Sequence, residues 1–188
     1  MIGATTRRDA LRNAGGVALA ASAAPLLVGV RTAFAAASGD EETMLGAVRL
    51  EQGLVVAYRA LQGSSALSAG AAALARHFGD QEQAHLDAVS QQLQTLGGVV
   101  PALPAPDTVK AGREALTDLH TQAQLLAFAG ALESNAIAAY YEAQQSLRRA
   151  EFLQTTAAIM ANEGQHLALL REALHRSPVP EAFETGRP

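Results

Sequence analysis

There is no cysteine in these 188 residues. That excludes disulfide staples, iron–sulfur clusters and thiolate zinc sites, so stability has to come from packing. Proline is scarce, seven in all, and confined to position 25, the segment 101–106 and the stretch 178–188. Clusters of β-branched residues are scarcer still, and alanine and leucine dominate, which is a helical composition. Basic residues form no stripe: 14 Lys and Arg stand against 18 Asp and Glu, a net charge of −4. Nothing in that balance suits a phosphate backbone, so nucleic acid is not an expected partner. Beyond residue 30 no apolar run approaches the ~20 residues that a membrane-spanning helix needs.

The first 35 residues have their own grammar. Arg7, Arg8 and Arg12 precede an apolar stretch over residues 14–30, and Ala33-Phe34-Ala35 offers a small-x-small cleavage site. Thr6-Arg7-Arg8-Asp9-Ala10-Leu11-Arg12 resembles the twin-arginine export signal, which is read by a receptor in the export machinery. The expectation is a signal peptide over 1–35 and a mature domain over 36–188, located in the periplasm, the cell envelope or the exterior. An uncleaved anchor is the competing reading. After cleavage 10 basic and 17 acidic residues remain, a net charge of −7. The 153 residues left suffice for one domain with a sizeable core.

What is present is a motif that occurs twice. Glu82-Gln83-Ala84-His85 and Glu163-Gly164-Gln165-His166 are both Glu-x-x-His. A lone glutamate precedes each, Glu51 by 31 residues and Glu133 by 30. A helix brings positions i and i+3 to one face, so each motif aims a carboxylate and an imidazole in one direction. One such motif is ordinarily a surface feature; two with partners at matched spacing supply six ligands with two-fold pseudosymmetry. Tyr58 follows Glu51 by seven residues and Tyr140 follows Glu133 by seven, two turns along the same face. These tyrosines are the candidate catalytic side chains, with plain core packing as the alternative. His77, His120 and His175 lack matching partners and read as surface or helix-end residues; Asp87, Glu142 and Glu172 read as solvated.

Periodicity places these residues on four helices. The first begins near Asp40, a candidate cap, and runs to about 61 with an inward stripe of Met44, Val48, Glu51, Val55 and Tyr58. Gly63-Ser64-Ser65 breaks it. The second runs to about 96 (Leu74, Phe78, Glu82, His85, Val89, Leu93) and Gly97-Gly98 ends it. The third is expected over about 118–147 (Leu126, Ala129, Glu133, Ile137, Tyr140). The fourth is expected over about 151–175 (Phe152, Ile159, Glu163, His166, Leu170). Pro178 and Pro180 forbid a fifth long helix. Between helices two and three lie about twenty residues, proline-marked at 101, 104 and 106, with a short helix expected near 109–116. Antiparallel neighbours need only about two to eight linking residues. Twenty can run the ~35–45 Å of a long helix, so the segment is a crossover from one end of the bundle to the other.

The chemistry follows from burial. A carboxylate on a core stripe is costly without a partner, and four converging ones oppose joint ionisation. Two divalent cations resolve that conflict. Hard oxygen donors with one imidazole per metal suit iron or manganese, two ions per chain.

On these residues the chain resembles the ferritin-like superfamily, in particular its exported bacterial branch with twin-arginine signals. The likeness is carried by Leu50-Glu51 to Tyr58, Asp80-Gln81-Glu82-Gln83-Ala84-His85, Ala131-Leu132-Glu133 to Tyr140 and Asn162-Glu163-Gly164-Gln165-His166. The tail Pro178-Val179-Pro180-Glu181-Ala182-Phe183-Glu184 belongs to it too. The resemblance implies an all-α ferritin-like four-helix bundle with a long crossover between helices two and three. It implies that Glu82 and Glu163 bridge the two metals, that Glu51 and Glu133 are terminal, and that His85 and His166 serve one metal each. The expected activity is that of an oxidoreductase of ferroxidase or peroxidase type, acting on ferrous iron, oxygen or peroxide and linked to oxidative stress. Its electron donor is not named by the sequence, and a homodimer is compatible with the fold. A non-catalytic metal-binding or stress-protective protein is the alternative. Departures bound the likeness. No cysteine-ligated rubredoxin domain is present, and Ala136 stands where rubrerythrins carry an extra glutamate. Gln83 and Ala84 stand where bacterioferritins place a haem-binding methionine, so no haem is expected.

Overall fold

The computed structural model describes residues 39–103 and 116–187. The expected signal peptide and its cleavage site lie outside the described residues, as does residues 109–115 of the expected short helix. Four helices follow one another: α1 (Asp40–Gln62), α2 (Ala69–Thr95), α3 (Gln122–Ala143) and α4 (Ala150–Ala173). No strand occurs among the described residues, so the fold is an all-α four-helix bundle. None of the described helices is long and apolar enough to cross a membrane.

Local signals set most of the boundaries. α2 starts where the Ser68 side chain accepts from the Ala71 N–H, and it stops at a Schellman turn. There Gly98 N–H donates to Leu93 O (3.0 Å), Gly97 N–H donates to Gln94 O (3.0 Å), and Gly97 supplies the positive φ of 81°. Asp40 is not the cap of α1. Gly39 is, without a side-chain bond, and the Asp40 carboxylate instead accepts from the Arg148 N–H at 2.8 Å, tying α1 to the α3–α4 connection. α3 begins four residues later than the expected 118. Thr121 and Gln124 form a reciprocal capping box there, which outcompetes Asp118, and residues 116–118 make a turn instead.

α1 packs mainly on α2 and α3 on α4, with α1 also against α3 and α2 against α4. Two crossed hydrogen bonds set direction. Tyr58 on α1 donates to Glu133 on α3, and Tyr140 on α3 donates to Glu51 on α1. Advancing seven residues along one helix retreats seven along the other, so α1 and α3 are antiparallel. α1 and α2 are antiparallel as well, being joined by residues 63–68 alone. α3 therefore runs parallel to α2, and the chain must travel the bundle's length between them, ~40 Å for a 27-residue helix. That is the expected crossover. Its first residues lie against α1, where buried Gln52 donates to Pro101 O at 2.8 Å.

The core runs the length of the bundle through Met44, Leu50, Leu54, Phe78, Phe128 and Phe152, all nearly inaccessible. Each buried side chain of this size contributes about 1.5–3 kcal/mol. The inward stripes are buried as expected, apart from Leu74 and His85, which are only partly covered. After α4 the tail forms no helix. It folds back over the bundle through an Arg171–Glu184 ion pair (2.7 Å) and a contact of Arg187 with Glu142. Gly186, at φ 68°, lies so close to α3 that a Cβ would meet Ser134 O at 2.0 Å.

Candidate metal centre

Glu51 comes from α1, Glu82 and His85 from α2, Glu133 from α3, and Glu163 and His166 from α4. All six meet at mid-bundle. The four glutamates are wholly buried, His166 is 1 % exposed, and only the His85 side chain, at 12 %, touches solvent. They fall into two overlapping groups: Glu51, Glu82, His85 and Glu163, and Glu82, Glu133, Glu163 and His166. Within each, one donor atom per residue lies within 4.8 Å of every other.

Glu82 and Glu163 belong to both groups, and their oxygens are divided between them. Glu82 turns Oε1 to His166 Nδ1 (3.2 Å) and Oε2 to His85 Nδ1 (3.3 Å). Glu163 turns Oε2 to His166 Nδ1 (3.2 Å) and Oε1 to His85 Nδ1 (3.2 Å). Glu133 Oε1 stands 3.5 Å from His166 Nδ1, and Glu51 Oε2 stands 3.9 Å from His85 Nδ1. Glu51 and Glu133 each serve one group.

Only one of these approaches, Glu82 Oε2 to His85 Nδ1, is a hydrogen bond. Glu51 Oε2, Glu82 Oε1, Glu133 Oε2, both Glu163 oxygens and His166 Nδ1 are buried without a hydrogen-bond partner. Among the described residues only Gln92 Oε1 shares that condition. Buried polar atoms are rarely orphaned, and each costs about 1–3 kcal/mol. Six converging orphans, five oxygens and the His166 nitrogen, with His85 completing the other group, fit two hard divalent cations.

The electrostatics agree. Burial, then the charge of Glu82, holds the Glu51 carboxyl well above its usual range; burial, then Glu133, does the same to Glu163. Burial also raises Glu82, but the facing imidazoles of His166 and His85 outweigh it and leave that carboxyl low. Burial would lower His166, yet the carboxylates of Glu133, Glu163 and Glu82 push it up to about 11. The cluster is short of positive charge.

The tyrosines sit above the carboxylates, with a twist that spacing could not show. Each bonds the glutamate of the opposite half: Tyr58 to Glu133 and Tyr140 to Glu51. Burial, then that neighbouring carboxylate, raises both phenols, so they stay protonated and donate. His77, His120 and His175 are exposed and outside the cluster, as are Asp87, Glu142 and Glu172.

Two further residues shape the site. Gln81 Oε1 lies 2.7 Å from His166 Nε2, and Phe78 stacks on the His166 ring at 3.9 Å between centroids. Phe78 was legible as core. Gln81 was not, because its partner is on another helix; its place directly before Glu82 is the only signal.

A family model described as Ferritin-like domain matches residues 32–176. No curated protein and no solved structure matches the chain.

Proposed function

This chain belongs to the ferritin-like domain family, and on that premise we propose that its six buried donors hold two iron or two manganese ions in an exported oxidoreductase. In this reading it oxidises ferrous iron or reduces oxygen or peroxide. One observation carries the reading: Glu82 and Glu163 each split their two oxygens between two imidazoles, and three of those four oxygens, Glu82 Oε1 and both of Glu163, are buried with no hydrogen bond. Bound as a pair in their divalent state, two such ions would supply the two electrons that reduction of peroxide needs.

The protein's part is positional. Glu82 and Glu163 set the separation of the two positions, while Glu51 with His85 and Glu133 with His166 complete one position each. Tyr58 and Tyr140 donate to the Glu133 and Glu51 carboxylates and anchor them; Tyr140 takes Glu51 Oε1 and leaves Oε2 facing His85. The surrounding core excludes water, so these charges act unscreened. The twin-arginine motif, which resembles a signal for export of folded proteins, supports loading before export.

Ferrous protein mixed with peroxide should lose ferrous iron faster than free ferrous ion in the same buffer. His85→Ala and Glu163→Ala should each abolish that acceleration, and His77→Ala should not. Metal analysis after loading should return about two ions per chain. Equal rates for wild type and His85→Ala would leave binding without turnover. That outcome would favour the sequestering, stress-protective alternative, which the nearly complete burial of the ligands also supports.

A further inference from the structure

The two positions share their bridging carboxylates, and the helices that carry their histidines are related by a local two-fold. Gln81 on α2 stands opposite His166 on α4, and Gln92 donates to Thr155 in the same antiparallel register. Moving four residues along α2 from Gln81 reaches His85; moving four back along α4 from His166 reaches Asn162. Asn162 is therefore the counterpart of Gln81, directly before the glutamate of its own motif. It is one methylene shorter. Its side chain makes no hydrogen bond to His85 among the described residues, and His85 Nε2 has no protein partner there.

The environments of the two rings diverge accordingly. His166 Nε2 donates to Gln81 Oε1, which fixes the ring with Nδ1 turned to Glu82, Glu133 and Glu163. Phe78 closes its face, and it is 1 % exposed. His85 has neither restraint. It borders a depression of about 380 Å³ between α2 and α4, together with Ala88, Gln154, Thr155, Ala158 and Ile159.

Resting on the dinuclear reading above, we propose that the two metal positions are inequivalent. The position of His166 is held tightly through Gln81, and the position of His85 is the exchangeable one, where ions enter and leave beside the α2–α4 depression. Partners of this kind on a ligating imidazole typically change metal affinity about 10–100-fold. An Asn one methylene short on one side and a Gln in reach on the other build that difference into a symmetric bundle.

The test uses the full chain loaded with manganous ion and chased with excess chelator, free manganese being followed by electron paramagnetic resonance. Wild type should release one ion quickly and one slowly. Gln81→Leu should make the slow ion leave about 10-fold faster or more, and Gln81→Glu, which keeps an acceptor, should restore the slow phase. Asn162→Gln, extended by the missing methylene, should slow the fast ion. NMR of the metal-free protein gives a second readout: the His166 Nε2–H should be shifted downfield and slow to exchange in wild type through its bond to Gln81, and lose both features in Gln81→Leu. Two ions leaving wild type in a single phase would overturn the inequivalence while sparing the dinuclear reading. Unchanged release and an unchanged His166 Nε2–H signal in folded Gln81→Leu would overturn the role of Gln81. No bound ion at all would overturn the dinuclear reading, and this inference with it.

Discussion

Tyr58 and Tyr140 show how much depends on single atoms. Each phenol is buried and bonded to a buried carboxylate on another helix. Tyr58→Phe keeps the ring and removes the donor, so Glu133 loses its hydroxyl partner. Urea melts of the metal-free protein should show a loss of about 1–3 kcal/mol, and Tyr141→Phe, on a half-exposed side chain, should show almost none. Protonation gives a second prediction. Glu51 and Glu163 are raised, and His166 is pushed up to about 11, so the empty cluster retains protons at neutral pH. A divalent cation needs the same lone pairs, so binding should release protons and manganese affinity should rise with pH. Calorimetry in buffers of different ionisation enthalpy would read the protons directly, and a buffer-independent heat would contradict the prediction. The six converging residues were legible because a carboxylate at helical spacing among apolar residues is already an anomaly within one helix. The crossing of the tyrosine bonds and the reach of Gln81 were not, since both depend on the register between helices.

At the scale of elements, the termini distinguish what local chemistry decides from what packing decides. The C-terminus of α2 was readable from Gly97-Gly98, because a left-handed residue is wanted there and glycine supplies it. The start of α3 was misread. Asp118 is a good cap in isolation, but Thr121 with Gln124 satisfies two backbone donors reciprocally. Thr121→Ala should cost about 0.5–2 kcal/mol in thermal or urea melts, whereas Asp118→Ala should leave the melt unchanged within error. Were the two to cost the same, the boundary would belong back at 118. Helix existence and the buried stripes were readable from periodicity. That α1 neighbours α3 rather than lying across the bundle from it was only inferable, through the length of the crossover.

For the whole molecule, the centre couples binding to stability. Orphaned donors in the core mean that an ion bound only by the folded state should raise the melting temperature. Manganous or ferrous ion should do so for wild type, and Glu82→Ala, which removes a ligand from both positions, should lose most of the rise while remaining helical. An equal rise in the variant would point to surface binding. The tail is a separate attachment. Gly186→Ala cannot keep the approach to Ser134 O, so the tail should detach. Faster proteolysis after residue 176, with the melting temperature of the bundle nearly kept, would report that.

The crossed tyrosine bonds carry one more consequence. α1 with α2 holds Glu51, Glu82 and His85, and α3 with α4 holds Glu133, Glu163 and His166. Neither hairpin owns a full set for either ion, and each tyrosine serves a carboxylate it does not share a hairpin with. The chain thus behaves as two complementing fragments on one thread. Severed within residues 104–115, they should find each other again, and manganese should tighten the reunion by acting as the rivet that both must supply.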